Sequence, residues 1–239
     1  MRILVTLCAR SGSKGIPGKN KKNLAGKPLI GYSIEVAKKF ATIYNCDIAI
    51  STDDDEIKDI SMQYGISMNY NRPKHLATDM AGKIETISDL IYYQEAKNNF
   101  LYDYILDLDI TSPLRSIKDL CDGFEILIKD NIALNLFSVN NAARNPYFNM
   151  VEQKGNGYFY LVKNEGNFLT RQSAPKVYDL NASFYFYKRS FFELNFKTVF
   201  TSNSLIYEMP HICFDLDHKI DFDFLEFLIN NNRLDFELC

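Results

Sequence analysis

The sequence predicts an α/β protein, a three-layer architecture with a mostly parallel sheet between helices and an inserted hairpin-rich subdomain. Short β-branched apolar runs alternate with helical patterns through the first half of the chain, as right-handed βαβ crossovers require. Between Arg144 and about Arg171 that alternation gives way to aromatic segments punctuated by Asn and Gly, which read as hairpins. At 239 residues and 46% hydrophobic content, the chain fits a single domain over 1–239 with an insertion at approximately 140–180.

Ile3-Leu-Val-Thr-Leu7 is the first core strand, followed by a helix over Leu29 to Phe40 and a strand over Asp47 to Ser51. A helix over Asp54 to Tyr64 and an apolar run at Ser67 to Tyr70, expected as a strand, complete the next unit. The loop that contains Arg72-Pro-Lys-His-Leu-Ala-Thr-Asp79 leads to a long helix, about Lys83 to Asn98, and then to the strand Tyr104-Ile-Leu-Asp-Leu-Asp109. Ser116 to Lys129 reads as a helix and Leu134 to Val139 as a strand. Within the insertion, Gly157-Tyr-Phe-Tyr-Leu-Val162 belongs to a hairpin. The chain rejoins the sheet with strands at Ser183 to Tyr187 and Ile212 to Asp217, and closes with an amphipathic helix over Lys219 to Asn230.

The protein is net negative at -3, yet between Met1 and Ile34 it carries seven cationic side chains and no acidic one. Most of that charge sits in one loop after the first strand, Cys8-Ala-Arg-Ser-Gly-Ser-Lys-Gly-Ile-Pro-Gly-Lys-Asn-Lys-Lys-Asn23. A basic, glycine-punctuated loop in an acidic protein is a local grip for a polyanion. The global charge argues against nucleic acid, and the position after strand one argues for a nucleotide triphosphate. Cys8, Cys46, Cys121, Cys213 and Cys239 are odd in number, scattered and without CxxC spacing, and His75, His211 and His218 do not cluster with them. Neither a disulfide framework nor a zinc site is indicated, which leaves hard oxygen ligands for a metal. The apolar runs are strand-sized and no basic segment precedes an apolar one near Met1, so the expectation is a cytoplasmic protein without a membrane span.

The loop fails the familiar phosphate-binding patterns in informative ways. A Walker A motif would need a glycine at Ser13 and a hydroxyl at Asn20. A Rossmann fingerprint using Gly12 and Gly15 would place Arg10 at its first glycine. Several fixed cations suit a triphosphate better than a dinucleotide pyrophosphate, and Arg10, Lys14 and Lys19 supply them. The alternative is a solvated basic turn. At the other end of the chain, the i, i+2 spacing of Asp215-Leu216-Asp217 on a strand sends both carboxylates to one face, where they form either a Mg²⁺ clamp or a strand end that caps the following helix. A second Asp-x-Asp, Asp107-Leu108-Asp109, ends another strand near the carboxyl edge of the sheet, where ligands bind. Asp53-Asp54-Asp55-Glu56 opens a helix and reads as cap and dipole partner.

Ala9 to Asn20, followed by Asn23-Leu24 and Gly26-Lys27-Pro28-Leu29, resembles the signature of the acylneuraminate cytidylyltransferases, the CMP-sialic acid synthetases and their relatives that activate legionaminic and pseudaminic acids. The resemblance continues through Ser51-Thr52-Asp53, Arg72-Pro73, Thr111-Ser-Pro-Leu-Arg115, Arg171-Gln172 to Asn181, and Asp215-Leu-Asp217. It implies a Rossmann-like nucleotidyltransferase fold and transfer of CMP from CTP to the anomeric 2-hydroxyl of a nine-carbon 2-keto sugar acid, with release of pyrophosphate. The resemblance assigns nucleotide binding to Ala9, Arg10, Gly12, Ser13, Lys14, Gly15, Lys19, Asn23 and Arg72, and Mg²⁺ (or Mn²⁺) to Asp215 and Asp217. Arg10, Lys19, Asp215 and Asp217 form the implied catalytic set.

Asp109, Arg144, Arg171, Gln172 and Asn181 are the candidates for the sugar. Sialic acid synthetases commonly read Leu-Gln-Pro-Thr-Ser-Pro where this chain has Leu108-Asp-Ile-Thr-Ser-Pro113, so an acid stands where an amide faces the sugar. Asp109 is open to three roles: acceptor for a differently substituted sugar, partner to the metal, or solvated loop acid. Pro146 is followed by Tyr147-Phe148 where sialate synthetases show a lysine, which implies a less polar sugar pocket and, with Asp109, a diacetamido sugar such as legionaminic acid. The resemblance further implies a homodimer formed through the inserted region. The alternatives are a 3-deoxy-manno-octulosonate cytidylyltransferase and a non-catalytic CTP-binding module.

Overall fold

The uncharged run after Arg2 forms β1 (Ile3–Ala9), the strand around which the sheet is organised in the computed structural model, which describes residues 1–12 and 15–238. Two short strands, β2 (Asn23–Leu24) and β3 (Lys27–Pro28), make a hairpin before α1 (Leu29–Tyr44), which ends at Asn45 in the left-handed conformation (φ 51°). β4 (Asp47–Thr52) pairs parallel to one side of β1, with Ala9 opposite Thr52. Next come α2 (Asp55–Gln63) and α3 (Lys83–Asn98), and then β5 (Tyr104–Leu108), which pairs parallel to the other side of β1 with Leu7 opposite Leu108. The connection from β5 enters α4 (Ile117–Lys129) through a capping box in which Ser116 and Asp119 satisfy each other's backbone amides.

β6 (Asn135–Asn141) leads into the insertion, which contains the hairpin of β7 (Val151–Gln153) and β8 (Phe159–Leu161). β9 (Tyr178–Lys188) returns antiparallel to β5; α5 (Arg189–Glu193), β10 (Ser204–Glu208) and α6 (Lys219–Asn230) complete the chain. The sheet order is β10-β6-β9-β5-β1-β4. The chain divides into two compact units, Met1–Ser138 with Asn181–Cys239, and Val139–Leu180.

Alternation along the strands sorts the sheet into two unlike faces. Ile3, Val5 and Leu7 join Phe40 of α1, Phe124 of α4 and Phe186 of β9 in one apolar cluster, in which the rings of Phe124 and Phe186 lie 5.3 Å apart. Thr6, Asp107, Tyr185 and Tyr187 are also buried, but on the intervening positions, and Thr6 Oγ1 donates to Asp107 at 2.8 Å. Polar groups on this second face are what give the site its chemistry.

Two expected strands are absent. Ser67–Tyr70 and Ile212–Asp217 lie outside the strands of the sheet. At Leu216 the amide donates to the Thr111 carbonyl of a loop, 2.8 Å away, and to the Asp215 carboxylate, so a loop and a side chain take the role of a neighbouring strand.

Two buried polar residues fix the segments that flank this stretch. Arg115, 1% exposed, donates to the Ser112 and Asp109 carbonyls at 2.9 and 2.8 Å, to Ser33 Oγ of α1, and to the Ser183 carbonyl of β9. His211 has Nε2 2.8 Å from Asp119 and Nδ1 3.0 Å from the Ile212 carbonyl, with its ring stacked on Phe236. Two acceptors on one imidazole favour the doubly protonated form. Burial opposes that charge, but the Asp119 hydrogen bond and the Ile212 carbonyl outweigh it and raise the His211 pKa above its ordinary value.

Arg115→Met is expected to lower the unfolding free energy by about 2–4 kcal/mol, because it strands several buried acceptors. The measurement is the urea midpoint, and an unchanged midpoint would show that those acceptors find other partners. A group with a raised folded pKa stabilises below its unfolded pKa of about 6.5, and that contribution is lost as pH rises through the folded value. The melting temperature should therefore contain a component that declines on going from about pH 6 to pH 9, and His211→Gln should remove it.

Candidate active site

A cavity of about 440 Å³ opens at the carboxyl ends of β1 and β5, the edge where open α/β sheets bind ligands. Arg10, Gly15, Lys19 and Asp217 line one part of it, and Arg72, Lys83, Asp107, Asp109 and Thr111 another. The basic loop and Asp217, far apart in sequence, thus share one wall, while Asp215 is not among the lining residues.

Lys19 makes the junction. It is 8% exposed; its ammonium donates to the Leu216 carbonyl and lies 3.7 Å from Asp217 Oδ1. Gly15 allows the approach, since a Cβ there would collide with the Asp217 carbonyl oxygen. Ala9 is buried at the end of β1, and Asn20 donates to the Arg10 carbonyl at 3.1 Å. Arg10 pairs with Asp79, and Gly12 is exposed. Ser13 and Lys14 lie outside the described residues. Asp53 accepts from the Ser11 amide and hydroxyl at 2.8 and 2.6 Å; burial works against its charge, yet these bonds hold its pKa below the ordinary value. Asp54, by contrast, caps α2 by accepting from the Glu56 amide at 3.0 Å.

Arg72 lines the cavity and donates to the Leu76 carbonyl at 2.8 Å and to Thr86 Oγ1 at 3.2 Å. Asn23 is exposed in β2 and is not among the lining residues. Asn181 is buried, its side-chain oxygen taken by Ser138 Oγ at 2.6 Å and by the Ser183 amide at 3.1 Å. In the second unit, Arg144 and Arg171 both donate to the Ala143 carbonyl, and Arg171 and Gln172 line a cleft with Asn145 and Lys176.

The two Asp-x-Asp pairs differ in electrostatics. Lys83, the first residue of α3, reaches Asp107 at 3.1 Å and Asp109 at 3.0 Å, and its ammonium sits 4.0 Å from the centroid of the Tyr185 ring. Thr111 donates to Asp109 Oδ1 from its amide and its hydroxyl, at 3.0 and 2.9 Å. Burial alone would raise the Asp109 pKa, but Lys83 and Thr111 bring it down to about 2. Asp107, 1% exposed, is instead raised by burial, with Lys83 offsetting this in part. Asp215 is raised by burial first, then by the charges of Asp109 and Asp217. Asp217 is exposed.

Asp215 and Asp217 are hard oxygen donors that retain like-charge repulsion, which a divalent cation would relieve. Among the described residues no group of three or more His, Cys, Asp or Glu side chains could hold a metal. Two carboxylates still suit Mg²⁺, which keeps several waters and takes substrate phosphates as its other ligands. No helix among the described residues is long and apolar enough to cross a membrane.

Sequence reasoning missed Lys83, Asp79 and Thr111. Lys83 left a signal: a cation at the first position of a helix faces the positive end of the macrodipole, and Gly82 before it provides no side-chain cap. A residue placed against both rules needs an acidic partner nearby.

The post-translational flagellin modification protein B of Campylobacter coli is 41% identical over 235 residues, 97% of each chain. The CMP-N,N'-diacetyllegionaminic acid synthase of Campylobacter jejuni is 39% identical over 234 residues, again 97% of each. A CMP:2-keto-3-deoxy-manno-octonic acid synthetase solved with CTP superposes with a TM-score of 0.67 over 97% of this chain and 100% of that one; at 14% identity the likeness is one of fold. The profile described as cytidylyltransferase matches residues 4–237, and the chain belongs to that family.

Proposed function

We propose that the protein transfers CMP from CTP to the anomeric 2-hydroxyl of a nine-carbon 2-keto sugar acid, a legionaminic acid derivative before sialic acid, and releases pyrophosphate. The observation that carries this reading is the Lys19 junction, which sets a basic loop and the Asp217 carboxylate on one wall of one cavity. The choice of sugar draws on Asp109 and on the likeness to a diacetyllegionaminic acid synthase.

In this reading Arg10, Lys14 and Lys19 hold the triphosphate with the amides near Gly12 and Gly15, and Asn23 and Arg72 hold the cytidine. Asp215 and Asp217 hold Mg²⁺ (or Mn²⁺), which when bound neutralises charge on the phosphate oxygens. Lys19 stands beside that pair and adds a fixed positive charge where the leaving pyrophosphate gains negative charge. Asp109, Arg144, Arg171, Gln172 and Asn181 are the sugar set, with the Asn181 side chain bonded to Ser138 of β6 and Ser183 of β9. Catalysis then rests on alignment of the 2-hydroxyl with the α-phosphorus and on charge neutralisation. The protein works in the cytoplasm as a homodimer that uses the insertion, a reading supported by the exposed Val151, Tyr158, Phe159 and Leu169 of that unit.

The direct test is pyrophosphate release with CTP and Mg²⁺ against legionaminic, sialic, pseudaminic and 3-deoxy-manno-octulosonic acids. The expected outcome is highest kcat/KM with a legionaminic acid. Binding of CTP without turnover of any acid would favour the non-catalytic module. Lys19→Ala or Asp217→Ala should each lower kcat/KM about a hundredfold or more, the scale for loss of one electrostatic contact to the transition state. Near-parental turnover in either would remove that residue from the mechanism. Gly15→Ala should act through geometry: the added methyl forces the loop from Asp217, so kcat/KM falls by about tenfold or more while circular dichroism shows the fold retained.

A further inference from the structure

The cavity's cation at α3 is absent from the roles above, and its surroundings are unusual. Lys83 is held from two sides by Asp107 and Asp109 and from a third by the face of Tyr185. Asp107 is itself fixed by Thr6 of β1, so the ammonium is tied to the sheet and not only to a loop. An ionised carboxylate offers about four lone-pair positions. On Asp109, Thr111 takes two through Oδ1 and Lys83 takes one through Oδ2. One position remains, on a side chain still 26% exposed in the cavity. Three donors already in place, one of them a cation, also make Asp109 a poor metal ligand, which separates it from Asp215 and Asp217.

We infer that Lys83 is a positioning residue for sugar specificity: clamped between Asp107 and Asp109, it orients the Asp109 carboxylate so that its one open acceptor site takes a single N–H or O–H donor from the sugar acid. The inference deepens the proposed function and rests on the reading of Asp109 as a sugar contact. Lys83 does not itself touch the reacting atoms. Its depressed-pKa partner stays ionised through the range in which the enzyme would work, so the acceptor is permanent. A site with one fixed, desolvated acceptor discriminates strongly, because a sugar that lacks the matching donor leaves it unpaired.

The test is steady-state pyrophosphate release with CTP and Mg²⁺, using a diacetamido nine-carbon sugar acid and N-acetylneuraminic acid in parallel. Lys83→Met is expected to raise KM for the diacetamido acid about tenfold or more, the loss of one charge-assisted hydrogen bond, and to narrow the preference between the two acids by a similar factor. KM for CTP should stay within about twofold, a split that a merely structural role for Lys83 would not produce. Asp109→Asn should give the same pattern, and the double variant should be little worse than either single. Equal changes in both KM values, or unchanged preference between the acids in Lys83→Met, would overturn the inference. Should Lys83→Met melt below assay temperature, Asp109→Asn decides alone, and retained preference there overturns it. A parent protein that turns over none of the acids removes the proposed function, an outcome distinct from parental turnover with unaltered variants.

Discussion

Lys19 carries a buried ammonium that must be satisfied, and the chain satisfies it with the backbone carbonyl of Leu216, 197 positions away, and the nearby carboxylate of Asp217. An unpaired charge at that depth would cost several kcal/mol. The requirement therefore dictates the path of the chain before α6: Leu216 turns its carbonyl toward the loop and its side chain into the core, with Asp215 half-buried before it and Asp217 exposed after it. Gly15 is the steric counterpart of the same contact. The remaining anchors act on its surroundings. Arg115 braces the loop whose Thr111 carbonyl receives the Leu216 amide, and His211 ties the start of the segment to the capping acid of α4.

The same economy governs the four acids around the cavity. Equal burial would raise all of their pKa values and leave them poor ligands and poor acceptors. Lys83 divides them. Asp109 gains a cation and two donors and stays charged; Asp107 lies deeper and is raised by its burial; Asp215 is raised by burial and by the charges of Asp109 and Asp217, with Thr111 and Lys19 offsetting this in part. Charge that is already balanced is suited to orienting a neutral donor on a substrate. Charge that is not balanced attracts a cation. The two Asp-x-Asp motifs, alike in spelling, thereby differ in electrostatics, with the pKa of Asp109 lowered and that of Asp215 raised.

What could be read from the sequence follows from how local each cause is. The spans of α3 and α6 match expectation because amphipathic periodicity is a local property. Asp54 as a cap was legible for the same reason. β10 and α5 were not anticipated, since a short edge strand and a single helical turn carry too few residues for a period to register. Ile212–Asp217 misled because an apolar run with alternating acids has the spelling of a strand, while the partner that claims its amide at Leu216 is a loop more than a hundred residues away. In the site, charge and glycine spacing exposed the basic loop, but which acid pairs with which lysine is decided by tertiary contact. Lys83 is the instructive case: its conflict with the helix dipole was written in the sequence, and the resolution, Asp107 and Asp109, was in plain view only once α3 lay on the sheet.

The cations of the cavity fall into two kinds, and the difference bears on how a polyanion enters. Arg10 pairs with Asp79 near the surface, at side-chain exposures of 32% and 39%, and exposed pairs of that sort hold by little. Exchanging Asp79 for a phosphate replaces one modest interaction with a bidentate, more highly charged one, so the exchange runs downhill. Lys19 and Lys83 are different: each has one buried partner, the Leu216 carbonyl for Lys19 and Asp107 for Lys83, and drawing either away would leave that group unsatisfied. They stay where they are. The cavity thus combines a framework of cations held by buried partners with an outer guanidinium paired near the surface, and a framework held in that way is one that needs no reorganisation when charge develops beside it.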